Sequence, residues 1–301
     1  MAEWKVGVVG LGNMGGGIAR NFHKAGVSLA VWDVAPAACR AFEVAGVVIA
    51  PPGEMAATCN VIFFVVPGTP EIASCFAGNN GVLACASEGL VIYDFTTSNP
   101  LATRVLAESA AACGIAYLDA GMSGGAAGAD AGTLSLMIGG DKEAFERTRA
   151  LLDKIASRIF HLGGSGAGHT LKLIHNMVLH TIFLATCEGG RMAEAAGINL
   201  ADMIDVFNVS NARSFISEVR FPKHILSGKW DGRSRVYNLH KDVSMAVGLA
   251  GALDLKVPLG TVTRDILDAA IAQGMTDTDF SRLYERFDEI VATVRNTESP
   301  D

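Results

Sequence analysis

Residues 5–15 read K-V-G-V-V-G-L-G-N-M-G, a short apolar run that leads into a glycine-rich turn. The run at residues 5–10 is typical of a buried strand in a parallel sheet, and residues 14–25 have the pattern of a helix. The turn between them has the spacing G-x-G-x-x-G. In that motif the first glycine permits a tight turn, the second lets a pyrophosphate approach the backbone, and the third lets helix and strand pack closely. The stretch therefore predicts a dinucleotide-binding turn.

A second apolar run, at residues 28–32, leads to Asp33. This carboxylate follows Gly15 by 18 positions, close to the ~20 at which an acidic residue accepts hydrogen bonds from the ribose of NAD. A carboxylate here would repel the 2′-phosphate of NADP, and no arginine follows within the next six residues to offset that repulsion. We therefore predict NAD as the cofactor. Its predicted contacts in this part of the chain are Gly10, Gly12, Asn13, Met14, Gly15 and Asp33.

Short runs rich in Val, Ile and Phe recur along the first half of the chain and alternate with segments of helical periodicity. They lie at residues 61–66, 90–94 and 116–119. The alternation predicts an α/β fold, with a Rossmann-type doubly wound parallel sheet and helices on both faces. After the G-G-S-G segment at residues 163–166, only helical spacing follows. We therefore expect an NAD-binding domain at residues 1–163 and an all-α domain at residues 164–301, opened by one long helix at about residues 167–196.

Composition and charge argue against several classes of protein. The 301 residues carry a formal net charge of −7 without a run of Lys or Arg, so nucleic acid is not an expected partner. Residues 1–10 lack the pattern of a signal peptide, and we expect a cytoplasmic location. The most apolar helical segment, residues 171–192, carries several charged side chains and is not expected to span a membrane. The cysteines form no C-x-x-C pair and the histidines no H-x-x-x-H pair, so no metal site is predicted.

Three further stretches resemble motifs of one enzyme family. They are D-F-T-T-S-N-P at residues 94–100, D-A-G-M-S-G-G at residues 119–125 and G-H-T-L-K-L-I-H-N at residues 168–176. With the glycine-rich turn, their order and spacing resemble the β-hydroxyacid dehydrogenases, which include 3-hydroxyisobutyrate dehydrogenase and tartronate semialdehyde reductase. The third stretch is also similar to a segment of 6-phosphogluconate dehydrogenase, a related enzyme. The resemblance covers nearly the full length of the chain.

The resemblance implies roles for residues in two of these stretches and for one residue outside them. Val66 and Thr97 would lie beside the nicotinamide half of the cofactor. The substrate carboxylate would be held by Ser123, Gly124 and Gly125. This is physically reasonable because a serine followed by two glycines exposes successive backbone N–H groups, which can form an anion-binding concavity. The ordinary alternative is a flexible loop.

The resemblance implies one cofactor contact in the C-terminal half. The chain also departs from the family pattern at two places. Lys241, in the sequence L-H-K-D-V-S-M-A, resembles the family lysine that touches the cofactor, and Asp242 beside it is expected at least to fix the helix. The chain has Gly121-Met122 where family members commonly have Pro-Val. It also has Ser234 where the family often has Phe, which implies a more polar substrate.

Lys172 is the predicted catalytic residue, in the first turn of the long helix, with Asn176 one turn later on the same face. Hydride transfer from an alcohol to NAD requires loss of the hydroxyl proton, so a base must lie within hydrogen-bond reach. Lysine has an ordinary pKa of about 10.4, which burial, the helix N-terminus and the nicotinium charge are expected to lower. Asn176 can bridge Lys172 and the substrate hydroxyl. His175 and Arg213 are open candidates for substrate contacts, and an exposed lysine or arginine is the ordinary alternative.

The sequence thus predicts an NAD-dependent β-hydroxyacid dehydrogenase acting on a small anionic hydroxy acid or aldehyde acid. Two alternatives remain. One is an imine or keto reductase of the same fold with another proton donor. The other is a catalytically silent NAD-binding module that regulates a partner. The apolar content of the C-terminal helices also predicts self-association into a homodimer or homotetramer.

Overall fold

The computed structural model describes residues 4–294. Eight strands make up the sheet of the N-terminal unit. They are β1 (Lys5–Val9), β2 (Ser28–Trp32), β3 (Val48–Ile49), β4 (Val61–Phe64), β5 (Val91–Asp94), β6 (Ala116–Ser123), β7 (Leu134–Gly139) and β8 (Ala156–His161). Their spatial order is β3-β2-β1-β4-β5-β6-β7-β8. The prediction of a Rossmann-type doubly wound sheet is confirmed.

Eight helices accompany this sheet in the described chain. They are α1 (Gly15–Lys24), α2 (Pro36–Val44), α3 (Pro52–Thr58), α4 (Thr69–Phe76), α5 (Val82–Cys85), α6 (Pro100–Ala111), α7 (Gly125–Ala131) and α8 (Lys142–Leu152). Side chains of β4 alternate between two apolar cores, with Phe63 in one and Phe64 in the other. The first core also contains residues of α1, α2, α7 and α8, and the second contains residues of α3 to α6. The alternation follows from the two-residue repeat of a strand and shows that both faces of the sheet are buried.

The sheet departs from parallel pairing at one position, where β6 and β7 pair antiparallel. The connection between them, residues 124–133, contains only α7 and is shorter than the dozen or so residues that a parallel crossover usually needs. The sequence patterns do not predict β3, β7 and β8. β3 has two residues, β8 has mostly half-exposed or exposed side chains, and a short apolar run such as β7 cannot be distinguished from a buried helix by periodicity alone.

Apart from its loops and an isolated β-bridge between Arg235 and Asp279, the C-terminal unit consists of helices in its described residues. Its elements are the greater part of α9 (Ala167–Ala195), α10 (Leu200–Asn208), a π-helix (Ile216–Leu226), α11 (Val236–Ala252), α12 (Pro258–Ala272), a 3-10 helix (Phe280–Leu283) and α13 (Phe287–Val294). The ring of Phe183 packs against those of Phe221 and Phe280 in a core that also includes Leu239 and Ile290. Among the described residues, no helix is long and apolar enough to cross a membrane.

The contacts divide the chain after Lys172, later than the boundary that we expect from sequence near residue 163. The first turn of α9 therefore belongs to the N-terminal unit. The reason is visible in two hydrogen bonds, in which the backbone N–H groups of Gly166 and His169 donate to the Asp119 carboxylate of β6, each at 2.7 Å.

Candidate active site

The glycine-rich turn has the geometry that a dinucleotide requires. Gly10 has a φ of 93°, and a Cβ atom there would collide with the carbonyl oxygen of Val65. A Cβ atom on Gly15 would collide with the carbonyl oxygen of Gly10, so α1 and β1 pack closely here. A Cβ atom on Gly12, in contrast, would meet nothing within 4 Å. The three glycines thus match the turn, approach and packing roles of the motif, and the residues fit a bound dinucleotide.

Asp33 is tied to this turn by its own carboxylate. One oxygen accepts a hydrogen bond from the backbone N–H of Leu11 at 2.7 Å, and the other accepts from Ala35 at 2.8 Å. Each carboxylate oxygen can accept a further hydrogen bond. Met14, at the N-cap of α1, makes no side-chain capping bond, and the positive end of α1 can therefore face an anion.

The predicted cofactor residues of the N-terminal unit lie at one edge of the sheet. The register aligns Val9 with Phe64, Phe64 with Asp94, and Asp94 with Asp119. The segments that follow these parallel strands therefore meet at the same edge, where open α/β sheets bind ligands. Those segments carry Gly10, Asp33, Val66 and Thr97, and a Cβ atom on Gly10 would lie 3.1 Å from Cγ1 of Val66.

The turn that carries Thr97 is shaped by a buried carboxylate. One oxygen of Asp94 accepts hydrogen bonds from the backbone N–H and the hydroxyl of Thr96, at 2.9 and 2.6 Å. Its other oxygen accepts a hydrogen bond from the Tyr117 hydroxyl at 2.7 Å. Burial, with the neighbouring Asp94 charge, raises the pKa of Tyr117 well above its ordinary value. Tyr117 therefore remains a hydrogen-bond donor to Asp94, and this bond helps to fix the turn that carries Thr97.

Ser123 is the last residue of β6, which extends past the end of β5. The two glycines after it adopt positive φ angles of 125° and 61°. The helix that follows, α7, packs against α1. The Asn21 side-chain amide donates to the carbonyl oxygens of Gly17 and Ala129, at 3.0 and 2.7 Å. The candidate carboxylate-binding segment, residues 123–125, is thereby fixed to the helix that begins at the dinucleotide turn.

Lys172 lies in the second turn of α9, which begins at Ala167, and the predicted placement in the first turn is wrong. A Cβ atom on Gly121 of β6 would lie 2.6 Å from Cβ of Lys172. The absence of a side chain at Gly121 thus leaves the space in which Lys172 packs on β6.

Asn176 is buried and is joined to two other predicted residues of the C-terminal unit. Its side-chain N–H donates to Asp242 Oδ2 at 2.7 Å, and its carbonyl oxygen lies 2.9 Å from Nδ1 of His175. Nζ of Lys241 lies 3.5 Å from Asp242 Oδ1. Asp242 therefore contacts both Asn176 and Lys241. The contact with Asn176 could not be predicted from the sequence.

The two remaining candidates lie in loops. Arg213 is exposed, and its guanidinium lies 3.7 Å from Glu218 Oε1. Ser234 precedes α11, where its hydroxyl accepts a hydrogen bond from the Asn238 amide at 3.3 Å. Within residues 4–294, no group of three or more His, Cys, Asp or Glu side chains is placed to hold a metal ion. Contacts of Arg213, Ser234 and the other predicted site residues with substrate or cofactor remain predictions.

A set of buried polar residues near the carboxyl ends of β5 and β6 was not predicted from the sequence. Asp94, Asp119, Thr103 and His169 all have fully buried side chains. The signal available in the sequence was an aspartate near the end of each of two apolar strands, in the motifs at residues 94–100 and 119–125.

The chain matches two family models and many known proteins over most of its length. Residues 5–163 match the NAD-binding domain of 6-phosphogluconate dehydrogenase, and residues 166–287 match the NAD-binding domain of NADP-dependent 3-hydroxyisobutyrate dehydrogenase. The chain is 30% identical to 2-(hydroxymethyl)glutarate dehydrogenase of Eubacterium barkeri, over 95% of both chains. It is also 30% identical to NAD-dependent L-serine dehydrogenase of Pseudomonas aeruginosa, over 94% of this chain and 98% of that protein. The structure of Mycobacterium tuberculosis 3-hydroxyisobutyrate dehydrogenase with L-serine superposes with a TM-score of 0.87, at 28% identity, over 94% of this chain and 99% of that one.

Proposed function

The chain belongs to the β-hydroxyacid dehydrogenase family, and on that premise we propose that it reversibly oxidises the hydroxyl group β to the carboxylate of a small hydroxy acid, with NAD as cofactor. Its relatives make it an oxidoreductase that acts on hydroxyl groups and binds NAD or NADP. One observation supports the specific proposal most. The dinucleotide turn, the Thr97 turn and the segment at residues 123–125 share one sheet edge, and Lys172 packs on β6 at Gly121.

Each catalytic role in the proposal follows from the chemistry of one side chain. Lys172 takes the hydroxyl proton during oxidation and returns it during reduction, as a general base and acid. Asn176 carries both a donor and an acceptor and orients the substrate hydroxyl. The bound nicotinamide would accept the hydride. Backbone N–H groups at residues 123–125, together with the Ser123 hydroxyl, hold the substrate carboxylate.

NAD is proposed over NADP because of Asp33. Its carboxylate lies beside the dinucleotide turn, where both oxygens already accept backbone hydrogen bonds. A 2′-phosphate placed there would meet a negative charge without a neighbouring arginine in the next six residues. One of the two matching family models is described as NADP-dependent, so the preference is an individual property of this chain to be measured.

The proposed substrate is a small, polar acid. Relatives are named for L-serine and for 2-(hydroxymethyl)glutarate, both of which carry a primary hydroxyl group and a carboxylate. Ser234 stands where the family often has Phe, and a polar side chain there favours a polar substituent on the substrate. Lys241 is proposed to contact the cofactor because it resembles the family lysine with that role, and Asp242 Oδ1 lies 3.5 Å from its Nζ.

Two alternatives make different predictions. An imine or keto reductase of this fold would turn over imines or simple ketones with a proton donor other than Lys172. A silent module would bind NAD without turnover of any substrate. The retention of Ser123, Gly124, Gly125, Lys172 and Asn176 in one chain favours the dehydrogenase.

The experiment is a turnover assay with NAD and NADP on a panel of acids. The panel contains 3-hydroxyisobutyrate, L-serine, 2-(hydroxymethyl)glutarate and a simple imine. Lys172→Ala should lower kcat at least about a hundredfold, roughly 2.7 kcal/mol of activation free energy, while NAD binding persists. Lys172→Arg should be nearly as slow, because a guanidinium stays protonated. The exposed Lys142 at the start of α8 provides the matched control, and Lys142→Ala should retain full activity.

The pH dependence gives an independent check. In the oxidative direction the rate of the unaltered protein should rise with pH as one group loses its proton, and both Lys172 variants should lack this rise. A Lys172→Arg protein with normal turnover and the same pH profile would assign the proton to another group, with His175 the next to replace. Binding of NAD without turnover of any panel member would support the silent module.

We also propose that the protein forms a homodimer or homotetramer through the C-terminal unit. Ile174, Val178 and Ile182 lie exposed at four-residue intervals on α9, and therefore along one face. The neighbouring helix α12, joined to α9 by the hydrogen bond between Thr181 and Thr263 at 2.8 Å, also exposes Leu259 and Val262. Exposed apolar side chains along one helix face are typical of an interface. Light scattering after chromatography should show an oligomer that Val178→Asp weakens, and a monomeric unaltered protein would contradict the proposal.

A further inference from the structure

His169 is a buried histidine to which the proposed reaction assigns no role. It lies three residues before Lys172 on α9, and its side chain is fully buried. Nδ1 lies 2.8 Å from the Thr103 hydroxyl on α6, and Nε2 lies 3.2 Å from the backbone carbonyl oxygen of Asp94 at the end of β5. A carbonyl oxygen only accepts, so Nε2 donates. Both ring nitrogens are thus satisfied, as burial requires.

The backbone around His169 is held just as closely. Asp119 of β6 accepts hydrogen bonds from Gly166 N–H with one oxygen and from His169 N–H with the other, each at 2.7 Å. A strand carboxylate therefore caps the first turn of α9, a task normally performed by a residue next to the helix. A Cβ atom on Gly168 would lie 2.7 Å from the Asp119 carbonyl oxygen, so the helix also lies directly against β6.

These contacts fix the rotation of α9 about its own axis. The Asp119 bonds hold the backbone of the first turn against β6, and the His169 ring bonds to Thr103 of α6 and to Asp94 of β5. A lysine side chain extends roughly 6 Å or more from the axis of its helix. A 10° rotation of the first turns would therefore move Nζ of Lys172 by about 1 Å, and a displacement of that size can cost about a hundredfold in rate.

We propose that His169 is a positioning residue for Lys172, which it orients through the first turns of α9 by its bonds to Thr103 and Asp94. The inference rests on the proposed role of Lys172 as acid and base. His169 does not touch the reacting atoms. Its loss should impair the proton transfer and leave the dinucleotide turn, which is built by β1 and α1, intact.

A matched pair of threonines separates positioning from stability. Thr103 and Thr148 are both fully buried, and each hydroxyl bonds to a ring group, Nδ1 of His169 at 2.8 Å and the Tyr93 hydroxyl at 2.7 Å. Thr148 lies on α8, on the opposite face of the sheet from α6. Thr103→Val and Thr148→Val should therefore lower the melting temperature to a similar extent.

Only Thr103→Val and His169→Leu should lower kcat, by at least about tenfold, with the Kd for NAD changed by less than about twofold. In both variants the pH at which the oxidation rate rises should differ from that of the unaltered protein. In Thr148→Val it should be unchanged. Thr103→Ser retains the hydroxyl and should restore kcat. Equal kcat values in Thr103→Val and Thr148→Val would overturn the proposal, and so would a Thr103→Ser protein as slow as Thr103→Val.

A second measurement keeps this inference separate from the proposed function. If the unaltered protein oxidises no acid of the panel, the function fails, and the placement of Lys172 is read from its labelling by trinitrobenzenesulfonate, followed by peptide mass spectrometry. The labelling rate should change at least about threefold in Thr103→Val and stay unchanged in Thr148→Val. The same rate in all three proteins would overturn the positioning role.

Discussion

Gly121→Ala should disable the candidate site by adding a single methyl group. Gly121 lies on β6, where its Cβ atom would come 2.6 Å from Cβ and 3.1 Å from Cγ of Lys172, and 3.2 Å from the carbonyl oxygen of Gly168. Carbon atoms in favourable contact are about 3.5 to 4.0 Å apart. The methyl group therefore demands a movement of about 1 Å between β6 and α9. The strand is paired on both sides and the first turn of α9 is bound by Asp119, so the second turn of α9, which carries Lys172, is the part that must move.

The expected loss follows from this displacement. A misplacement of about 1 Å can cost about a hundredfold in kcat, or roughly 2.7 kcal/mol of activation free energy. Overpacking a buried position also costs about 1–3 kcal/mol of unfolding free energy. The loss of kcat should be larger than the fraction of unfolded protein at the assay temperature can account for.

The assay compares kcat, the Kd for NAD and the melting temperature in two glycine variants. Gly189 lies in the same helix, α9, and a Cβ atom there would meet nothing within 4 Å outside that helix's own nearby backbone. Gly189→Ala should keep full activity and gain about 0.5–1 kcal/mol of stability, because alanine is a better helix former. Gly121→Ala should keep its affinity for NAD. Full turnover in Gly121→Ala would refute the close packing of Lys172 against β6.

Four further changes address other parts of the site. The unaltered protein should prefer NAD to NADP at least about tenfold in kcat/KM, and Asp33→Ser should narrow that ratio; equal use of both cofactors by the unaltered protein would remove Asp33 from the ribose site. Gly125→Val should raise the KM for the acid and leave NAD binding unchanged in calorimetry, and the reverse result would assign this segment to the cofactor. Asp242→Ala removes the acceptor of the buried Asn176 amide at 2.7 Å, and should lower kcat about tenfold and stability by about 1–3 kcal/mol, whereas unchanged kinetics would contradict its positioning role. Burial raises the pKa of Tyr93 from 10.0 to about 12, so the folded state disfavours the charged phenolate, and a contribution to stability on the order of 2–3 kcal/mol is present only while Tyr93 is neutral, below pH 10. That contribution is lost as the pH rises towards 12, and thermal melts at alkaline pH should show a smaller pH dependence for Tyr93→Phe.

The sequence by itself determined the features whose causes are local. The dinucleotide turn depends on three glycines between one strand and one helix, and the structure shows each glycine in the environment that its position in the motif predicts. Asp33 follows the next strand at nearly the expected distance. The helix α9, Ala167–Ala195, agrees closely with its predicted bounds, because a long periodic segment that ends at a glycine is specified by its own residues.

Tertiary structure alone decided how α9 is attached and where Lys172 lies. Asp119 caps the first turn of α9 from 47 and 50 positions away, and Asp242 holds Asn176 from 66 positions away. The antiparallel pairing of β6 with β7 is likewise a contact between strands that their own sequences do not reveal. Local patterns specify which elements form. They do not specify which buried carboxylate meets which backbone N–H group, because those pairs are chosen only when helices and strands pack together and every buried polar group must find a partner.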